Sequence, residues 1–338
     1  FQYNKLSTHS IFTLHGTYLI GINGCNSGTS MFMNNVINQR IDGGYENAIA
    51  LYGSNNILFY HNTIQCNSSD TTSSVIRLDF SRNNVFKNNI VTNSNNGYCF
   101  YFYSSTDNIS DHNNLFTKKG KYLVNSDGVN YEDLLSWQQA SSSDFHSISR
   151  SSFFLSPTDL HSHNVLLKSS GVNIGNILPL DLDGLNRDII KPDPGAYIIT
   201  PFILDAGIQE ISSTKSICDG TSPVIVKLIN YGSTVLKTVT ISWKINGINQ
   251  PVYNWSGALA SGSDTLLNIG SATYQKNTSY TIIAWTEQPN GIADDFVQND
   301  TAFVSGLKTA LKGIYTIGGV NSDYATIPAV IQYLNTFC

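Results

Sequence analysis

The chain has 338 residues, 41% of them hydrophobic, which is enough for packed cores in two or three domains and excludes a globally disordered polymer. Only 13% of residues are charged and the net charge is −5, so there is no basic footprint for phosphate-driven nucleic-acid binding. The Lys118-Lys119 pair beside Gly120 is read as solvated, and no apolar run approaches the ~20 residues of a membrane span.

The chain opens in mid-pattern on Phe1-Gln2-Tyr3-Asn4, which predicts a fragment of a longer protein whose preceding coils are missing. One element then recurs: Asn, any residue, aliphatic. It stands at Asn4-Lys5-Leu6, Asn34-Asn35-Val36, Asn62-Thr63-Ile64, Asn88-Asn89-Ile90 and Asn113-Asn114-Leu115, with steps of 30, 28, 26 and 25 residues. Three positions before each Asn lie Phe1, Met31, Phe59 and Val85, with Ser110 breaking the rule in the fifth copy. A second strand precedes the last three copies and alternates as Ile49/Leu51, Ile76/Leu78 and Phe100/Phe102, the period-two signature of one buried face. Turn residues separate the strands at Gly53-Ser54-Asn55, Ser81-Arg82-Asn83 and Ser105-Thr106-Asp107.

A single coil of this kind cannot bury its apolar face, but a stack of coils can. The repeat therefore predicts a solenoid whose strands pair in parallel at ~4.8 Å along the axis. Asn34, Asn62, Asn88 and Asn113 are expected to superpose as an amide ladder at one corner. The leucine-rich consensus and the six-residue period of hexapeptide solenoids are both absent. The stretch Gly53-Ser54-Asn55-Asn56-Ile57 through His61-Asn62-Thr63-Ile64 resembles a coil of the right-handed parallel β-helix (pectate-lyase-like) family, over roughly residues 1–200.

After Lys121 the repeat fades. Tyr131, Leu134, Leu135 and Trp137 give a short amphipathic helix over 131–140. The order Asp181-Leu182-Asp183-Gly184, Arg187 and Pro192-Asp193-Pro194-Gly195-Ala196-Tyr197 resembles the C-terminal end of bacterial surface β-helix domains, and 121–200 is read as a capping region that closes the open strand edges. From Pro201 the texture changes. Val224/Val226/Leu228, Val239/Ile241/Trp243/Ile245 and Tyr280/Ile282/Ala284 alternate between turns such as Asn246-Gly247, the pattern of a β-sandwich over 201–306. Val226 to Gly232 and Trp243 to Gly247 resemble cell-adhesion-related bacterial immunoglobulin-like domains, known as CARDB. The tail, 307–338, resembles the start of a further β-helix domain, truncated after a helix near Pro328–Leu334. The fold class expected is all-β: a right-handed parallel β-helix, an immunoglobulin-like sandwich and this truncated cap.

Five cysteines, Cys25, Cys66, Cys99, Cys218 and Cys338, form neither a disulfide framework nor a CxxC zinc pattern. The first four read as small buried apolar residues, and a partner for Cys338 would lie beyond the fragment.

Candidate chemistry is sparse. Asp181, Asp183 and Asp188 hint at a calcium loop, but Gly184 follows Asp183 directly and Pro192 takes the place of the bidentate Glu, so turn-forming roles are preferred and no cofactor is expected. His146, His161 and His163 with Asp159 lack a zinc motif and read as structural. The motifs of polygalacturonase-like β-helix enzymes are missing: Ile64 replaces the Asp of Asn-Thr-Asp, and the only Asp-Asp, Asp294-Asp295, lies in the sandwich. If Ile76 and Leu78 point inward, Arg77 and Asp79 point outward, flanked by Tyr101 and Tyr103 on one side and by Ala50 and Tyr52 on the other. Tyr52, Arg77, Asp79, Tyr101 and Tyr103 are thus the candidate ligand-binding strip, with no catalytic residue assigned. The function expected is a non-catalytic extracellular structural, adhesion or display scaffold, secreted or at the bacterial cell surface. The alternative is a carbohydrate-binding module, or a polysaccharide lyase or glycosidase, using the same outer face. A polysaccharide or another surface protein is the partner expected, without nucleic acid or membrane insertion.

Overall fold

The computed structural model describes residues 5–7, 17–26, 28–39, 46–175, 177–212, 216–217, 220–275, 278–309 and 314–337. The chain divides into two units, 1–200 and 201–338, and its regular structure is almost all strand.

The first unit is a parallel β-solenoid with three sheets. One sheet stacks Thr17–Asn23, Glu46–Tyr52, Ser74–Asp79, Tyr98–Tyr103 and Val124–Ser126 in parallel, with Val129–Tyr131 returning antiparallel. A second stacks Ser30–Met33, Ile57–Tyr60, Val85–Lys87 and Ile109–Asp111. The third stacks Lys5–Ser7, Val36–Gln39, Thr63–Cys66, Ile90–Asn93 and Asn114–Thr117. Each coil visits the three sheets in turn, and identical pleats superpose one coil apart. Ile49, Ile76, Phe100 and Val124 form one inward column, and Leu51, Leu78 and Phe102 another. Ile37, Ile64, Val91 and Leu115 form a third, all fully buried.

The aromatic column runs through Phe32, Phe59 and Phe86, with ring centroids 5.2 and 4.7 Å apart. It lies one residue off the expected positions at Met31 and Val85. Met31 points outward and is 42% exposed. Ser110 ends the column, as its place in the fifth repeat indicates.

The amide ladder needs a matching correction. It runs through Asn35, Asn62, Asn89 and Asn113, not through Asn34 and Asn88. Asn35 Nδ2 donates to Asn62 Oδ1 at 2.9 Å, Asn62 Nδ2 to Asn89 Oδ1 at 2.9 Å, and Asn89 Nδ2 to Asn113 Oδ1 at 3.0 Å. The same oxygens accept from the backbone N–H of the preceding rung, and the same amides donate to Phe32, Phe59 and Phe86 carbonyls. The preceding residues Asn34, His61, Asn88 and His112 hold φ between 53 and 57°, the left-handed corner that Asn tolerates best among L-residues with side chains. Their side chains form a separate outer row. Phe1 and Asn4 of the first copy lie outside the described residues.

A helix, α1, spans Leu134–Ser141 and starts at an Asp133–Ser136 capping box. Its Trp137 stacks on Phe102 at 5.7 Å and joins the solenoid core. The loop after it adds the last rung: Ser147 Oγ accepts from Asn113 N at 2.9 Å, where another Asn would stand, and Ile148 bonds in parallel to the Asn114 strand. Residues 172–175 and 177–196 then lie along the outer row. Val172 bonds both ways with the Asn88 side chain, and Arg187 donates to Asn34 Oδ1 at 2.8 Å and to the Gly195 and Ala196 carbonyls at 2.9 Å. Gly195 is required here, because a Cβ would sit 2.7 Å from Thr63 Oγ1.

The second unit is a two-sheet sandwich. Ala206–Ser212, Gly220–Asn230 and Asp264–Tyr274 form one antiparallel sheet. Leu236–Ile245, Tyr253–Leu259, Ser279–Glu287 and Thr301–Thr309 form most of the other. Val226, Leu228, Ile241, Trp243, Ile282 and Ala284 meet in its core, as their alternation predicts. The tail carries a Thr316–Asp323 turn and a helix over Ile327–Phe337. Cys66 and Cys99 are buried, and Cys25 is half-buried, with its Sγ 3.2 Å from Ser30 Oγ. Cys218 and Cys338 lie outside the described residues.

Candidate functional site

The outward residues of the six-stranded solenoid sheet form two rows. Ala50, Arg77, Tyr101 and Asn125 lie in one, and Tyr52, Asp79 and Tyr103 in the next. All five strip residues predicted from sequence are therefore brought together by parallel register alone. Their side chains are not equally available. Arg77 Nε donates to Asp79 Oδ2 at 2.9 Å, and its guanidinium carbon lies 4.3 Å from the Tyr101 ring centroid. Tyr101 is half-buried, edge-on to Tyr98, whose hydroxyl donates to Asn130. Asp79 is only 7% exposed, although its Oδ1 accepts no hydrogen bond.

The open surface lies one row further on. Tyr103 is 46% exposed and packs edge-to-face with Phe80, itself 59% exposed, at 5.3 Å. Phe80 was absent from the expected strip because it sits beyond the strand, at a left-handed turn with φ 52°. An exposed Phe in such a backbone is uncommon, and it is a sequence-invisible component of the site. The strip thus offers two ring surfaces next to a self-neutralised Arg–Asp pair. Such a surface can stack on a flat, hydroxylated ligand, but Asp79 is the sole carboxylate in it, whereas glycoside hydrolysis calls for two.

The three carboxylates of the Asp-rich motif have different partners. Asp181 accepts the backbone N–H groups of Asp183, Leu185 and Ile198. Asp183 bonds His161 Nε2 at 2.8 Å, and Asp188 accepts from the Ile190 and Lys191 N–H groups. Asp181 and Asp188 thus fix local turns, as their spacing around Gly184 suggests, and Asp183 is committed to His161. His161 is held between Asp159 and Asp183 and stacks on Tyr197. Burial disfavours its charge, yet the two carboxylate hydrogen bonds outweigh this and raise its pKa. His163 Nδ1 instead bonds the Thr200 carbonyl. His146 lies apart from both, against Asp111 and His112.

A further acidic group, missed in the sequence, occurs in the sandwich. Asp205 is 1% exposed and accepts from Asn299 Nδ2 at 2.9 Å, while its Oδ2 has no hydrogen-bond partner. Burial pushes its carboxyl up to about 8; the Asn299 bond opposes this, and Asp294, Asp300 and Asp295 reinforce it. Burial, with Asp294 and Glu287, pushes Asp300 up to about 7. The folded state therefore holds protons that the unfolded chain, with carboxyls near 3.8, releases. Stability from these groups is fully present below about pH 4 and is lost as pH rises through about 7–8. In chelator-containing buffer, the urea midpoint of the parent is expected to fall between about pH 5.5 and about pH 9 by more than that of Asp205→Asn, which mimics the protonated acid. Parallel pH profiles for the two proteins would refute a protonated Asp205.

No family model matches the chain, and no curated protein matches it. Among solved structures, the chain is similar to the CARDB domain of the PF1109 protein from Pyrococcus furiosus. A crystal structure of that domain in complex with di-metal ions is 18% identical, with a TM-score of 0.27, and the match covers 32% of this chain and 90% of that one. A solution NMR structure of the same domain is 20% identical, also with a TM-score of 0.27, and the match covers 33% and 99%. Among the described residues no helix is long and apolar enough to cross a membrane.

Proposed function

We propose that the chain is a non-catalytic extracellular adhesion and display segment, secreted or held at a bacterial cell surface, in which the solenoid carries an aromatic contact strip. The carrying observation is the division of labour within that strip. Arg77 and Asp79 neutralise each other and Tyr101 lies under the guanidinium, which leaves no acid–base pair facing outward. The rings of Tyr103 and Phe80 stay open at the same place. Exposed rings beside polar groups favour stacking on sugar rings, so a polysaccharide is the partner of choice. Localisation and partner follow from this reading and from the family resemblance, which is an analogy.

A glycan array probed with the parent and with Tyr103→Ala tests it. The parent is expected to retain a subset of polysaccharides, and the variant to lose about tenfold in affinity, about the 1.4 kcal/mol of truncating one Tyr anchor in a contact surface. Equal binding by both proteins would remove the strip from the contact surface. Release of reducing ends or unsaturated products from a bound polysaccharide, abolished by Asp79→Ala, would replace the adhesion reading with a lyase or hydrolase.

A further inference from the structure

The outer row of left-handed corners ends at His112. Asn34 and Asn88 above it are engaged by Arg187 and Val172 of the segment that follows the capping loop, and His61 accepts the Asn88 amide. At the last coil that segment gives way to the loop that carries His146. The loop is fixed by Asp144, 1% exposed, which accepts from Ser110 Oγ, Ser147 Oγ and Trp137 Nε1 while its backbone N–H donates to the Ser110 carbonyl. His146 is thereby delivered to Asp111. Its backbone N–H donates to Asp111 Oδ1 at 2.8 Å, and its Nδ1 lies 2.8 Å from Oδ2.

His112 approaches the same oxygen from the other side, with Nδ1 3.2 Å from Oδ2. That nitrogen is buried and makes no hydrogen bond. The two imidazoles stack at 4.7 Å, so both Nδ1 atoms and one carboxylate oxygen converge within 4.8 Å. A tetrahedral Zn2+ with bonds of 2.0–2.1 Å spaces its ligand atoms about 3.3 Å apart, near the 2.8 and 3.2 Å from the two Nδ1 atoms to Asp111 Oδ2. Two imidazoles and a carboxylate are a borderline-soft donor set suited to Zn2+ and poorly suited to Ca2+ or Mg2+.

We infer that Asp111, His112 and His146 form a binding site for a divalent transition metal of the Zn2+ class, which staples the capping loop to the last coil of the solenoid. Metal binding would displace the Nδ1 proton of His146 that Asp111 Oδ2 now accepts. Burial lowers the pKa of His112, with Lys87 and His146 adding to the effect against Asp111. Asp111 is held ionised: burial alone would raise its pKa, but the His146 hydrogen bonds and His112 lower it. Lys87, the register partner of Asp111, faces the site and its charge opposes the metal. His146 is two-thirds exposed, which gives the metal an entry path and leaves room for a water in the fourth position.

The test is titration of the full chain with Zn2+ alone, read by calorimetry, beside His146→Ala, Asp111→Asn and His161→Gln. The parent and His161→Gln are expected to bind one equivalent at this site, and His146→Ala to bind at least about 100-fold more weakly, since even outer-shell partners of a metal ligand are worth 10–100-fold. Because His146 is exposed, its removal leaves the core intact, and Asp111→Asn preserves the shape and one acceptor oxygen. Zn2+ should also raise the thermal midpoint of the parent and not that of Asp111→Asn. Absence of saturable binding by the parent, unchanged binding by His146→Ala, or loss of the sole site in His161→Gln would each overturn the assignment.

Discussion

Replacing Asn89 with leucine should destabilise the solenoid by about 3 kcal/mol or more, while Asn26→Ala should cost less than about 0.5 kcal/mol. Both residues belong to rungs that repeat at one-coil spacing, so the contrast isolates burial. Asn89 is fully buried. Its Oδ1 accepts from the backbone and side-chain nitrogens of Asn62, and its Nδ2 donates to Asn113 Oδ1 and the Phe59 carbonyl. Leucine leaves the Asn62 N–H and the Phe59 carbonyl without partners in an apolar interior, at about 1–3 kcal/mol each. It also places a branched carbon chain where a planar amide spans the gap between coils. Asn26 accepts from Asn55 at 2.7 Å on the exposed surface, where water replaces the lost bond at little cost. Urea unfolding followed by far-ultraviolet circular dichroism would measure both. If Asn89→Leu unfolds at the parental midpoint, the buried ladder does not hold the coils together.

Much of the solenoid is legible in the sequence because parallel stacking converts periodicity directly into contacts. The pairs Ile49/Leu51, Ile76/Leu78 and Phe100/Phe102 announce their own inward columns and, by exclusion, place Tyr52, Arg77, Asp79, Tyr101 and Tyr103 on the outer face. The phase of the Asn ladder is less legible. In Asn34-Asn35 and Asn88-Asn89 two amides compete for one rung, and the Asn-x-aliphatic pattern fits the first while the register selects the second. The regular spacing of the true ladder, 27, 27 and 24 residues, is a better signal than the 30, 28, 26 and 25 of the motif. What decides the phase is a backbone property: the residue before each rung must adopt a left-handed corner, and Asn, His, Asn and His supply it.

The side-chain sites are legible only in part. Outward direction can be read from alternation, but not that Arg77 folds over Tyr101 or that Phe80 completes the exposed pair. The Asp111–His112–His146 group has no linear signature at all, because 35 residues separate Asp111 from His146 and the intervening chain includes α1. Only the docking of the capping loop, through contacts of Asp144 to residues before and after it, joins the two halves. The same holds for Asp205, which meets Asn299 and Asp300 through sandwich packing across more than 90 residues.

That capping loop is also where the second large effect is expected. Trp137 is the only tryptophan of the solenoid unit, and its ring has two tasks. One face continues the aromatic stack at 5.7 Å from Phe102, with Tyr131 edge-on at 5.2 Å. Its Nε1–H donates to Asp144 Oδ2 at 2.9 Å. Trp137→Phe retains a ring over the last coil but removes the donor, leaving a buried carboxylate oxygen short of one bond. A hydrogen bond to a charged group contributes about 1.5–3 kcal/mol, so the phenylalanine variant should lose about that much. Trp137→Ala removes the ring as well and opens a cavity beneath α1, for a total loss of about 3–5 kcal/mol. Measured as urea midpoints with circular dichroism, the two variants should therefore fall in the order parent, phenylalanine, alanine. Parental stability in Trp137→Phe would mean that the serine hydroxyls of Ser110 and Ser147 satisfy Asp144 alone. Equal losses in the two variants would assign the whole effect to that hydrogen bond and none to closure of the solenoid by the indole.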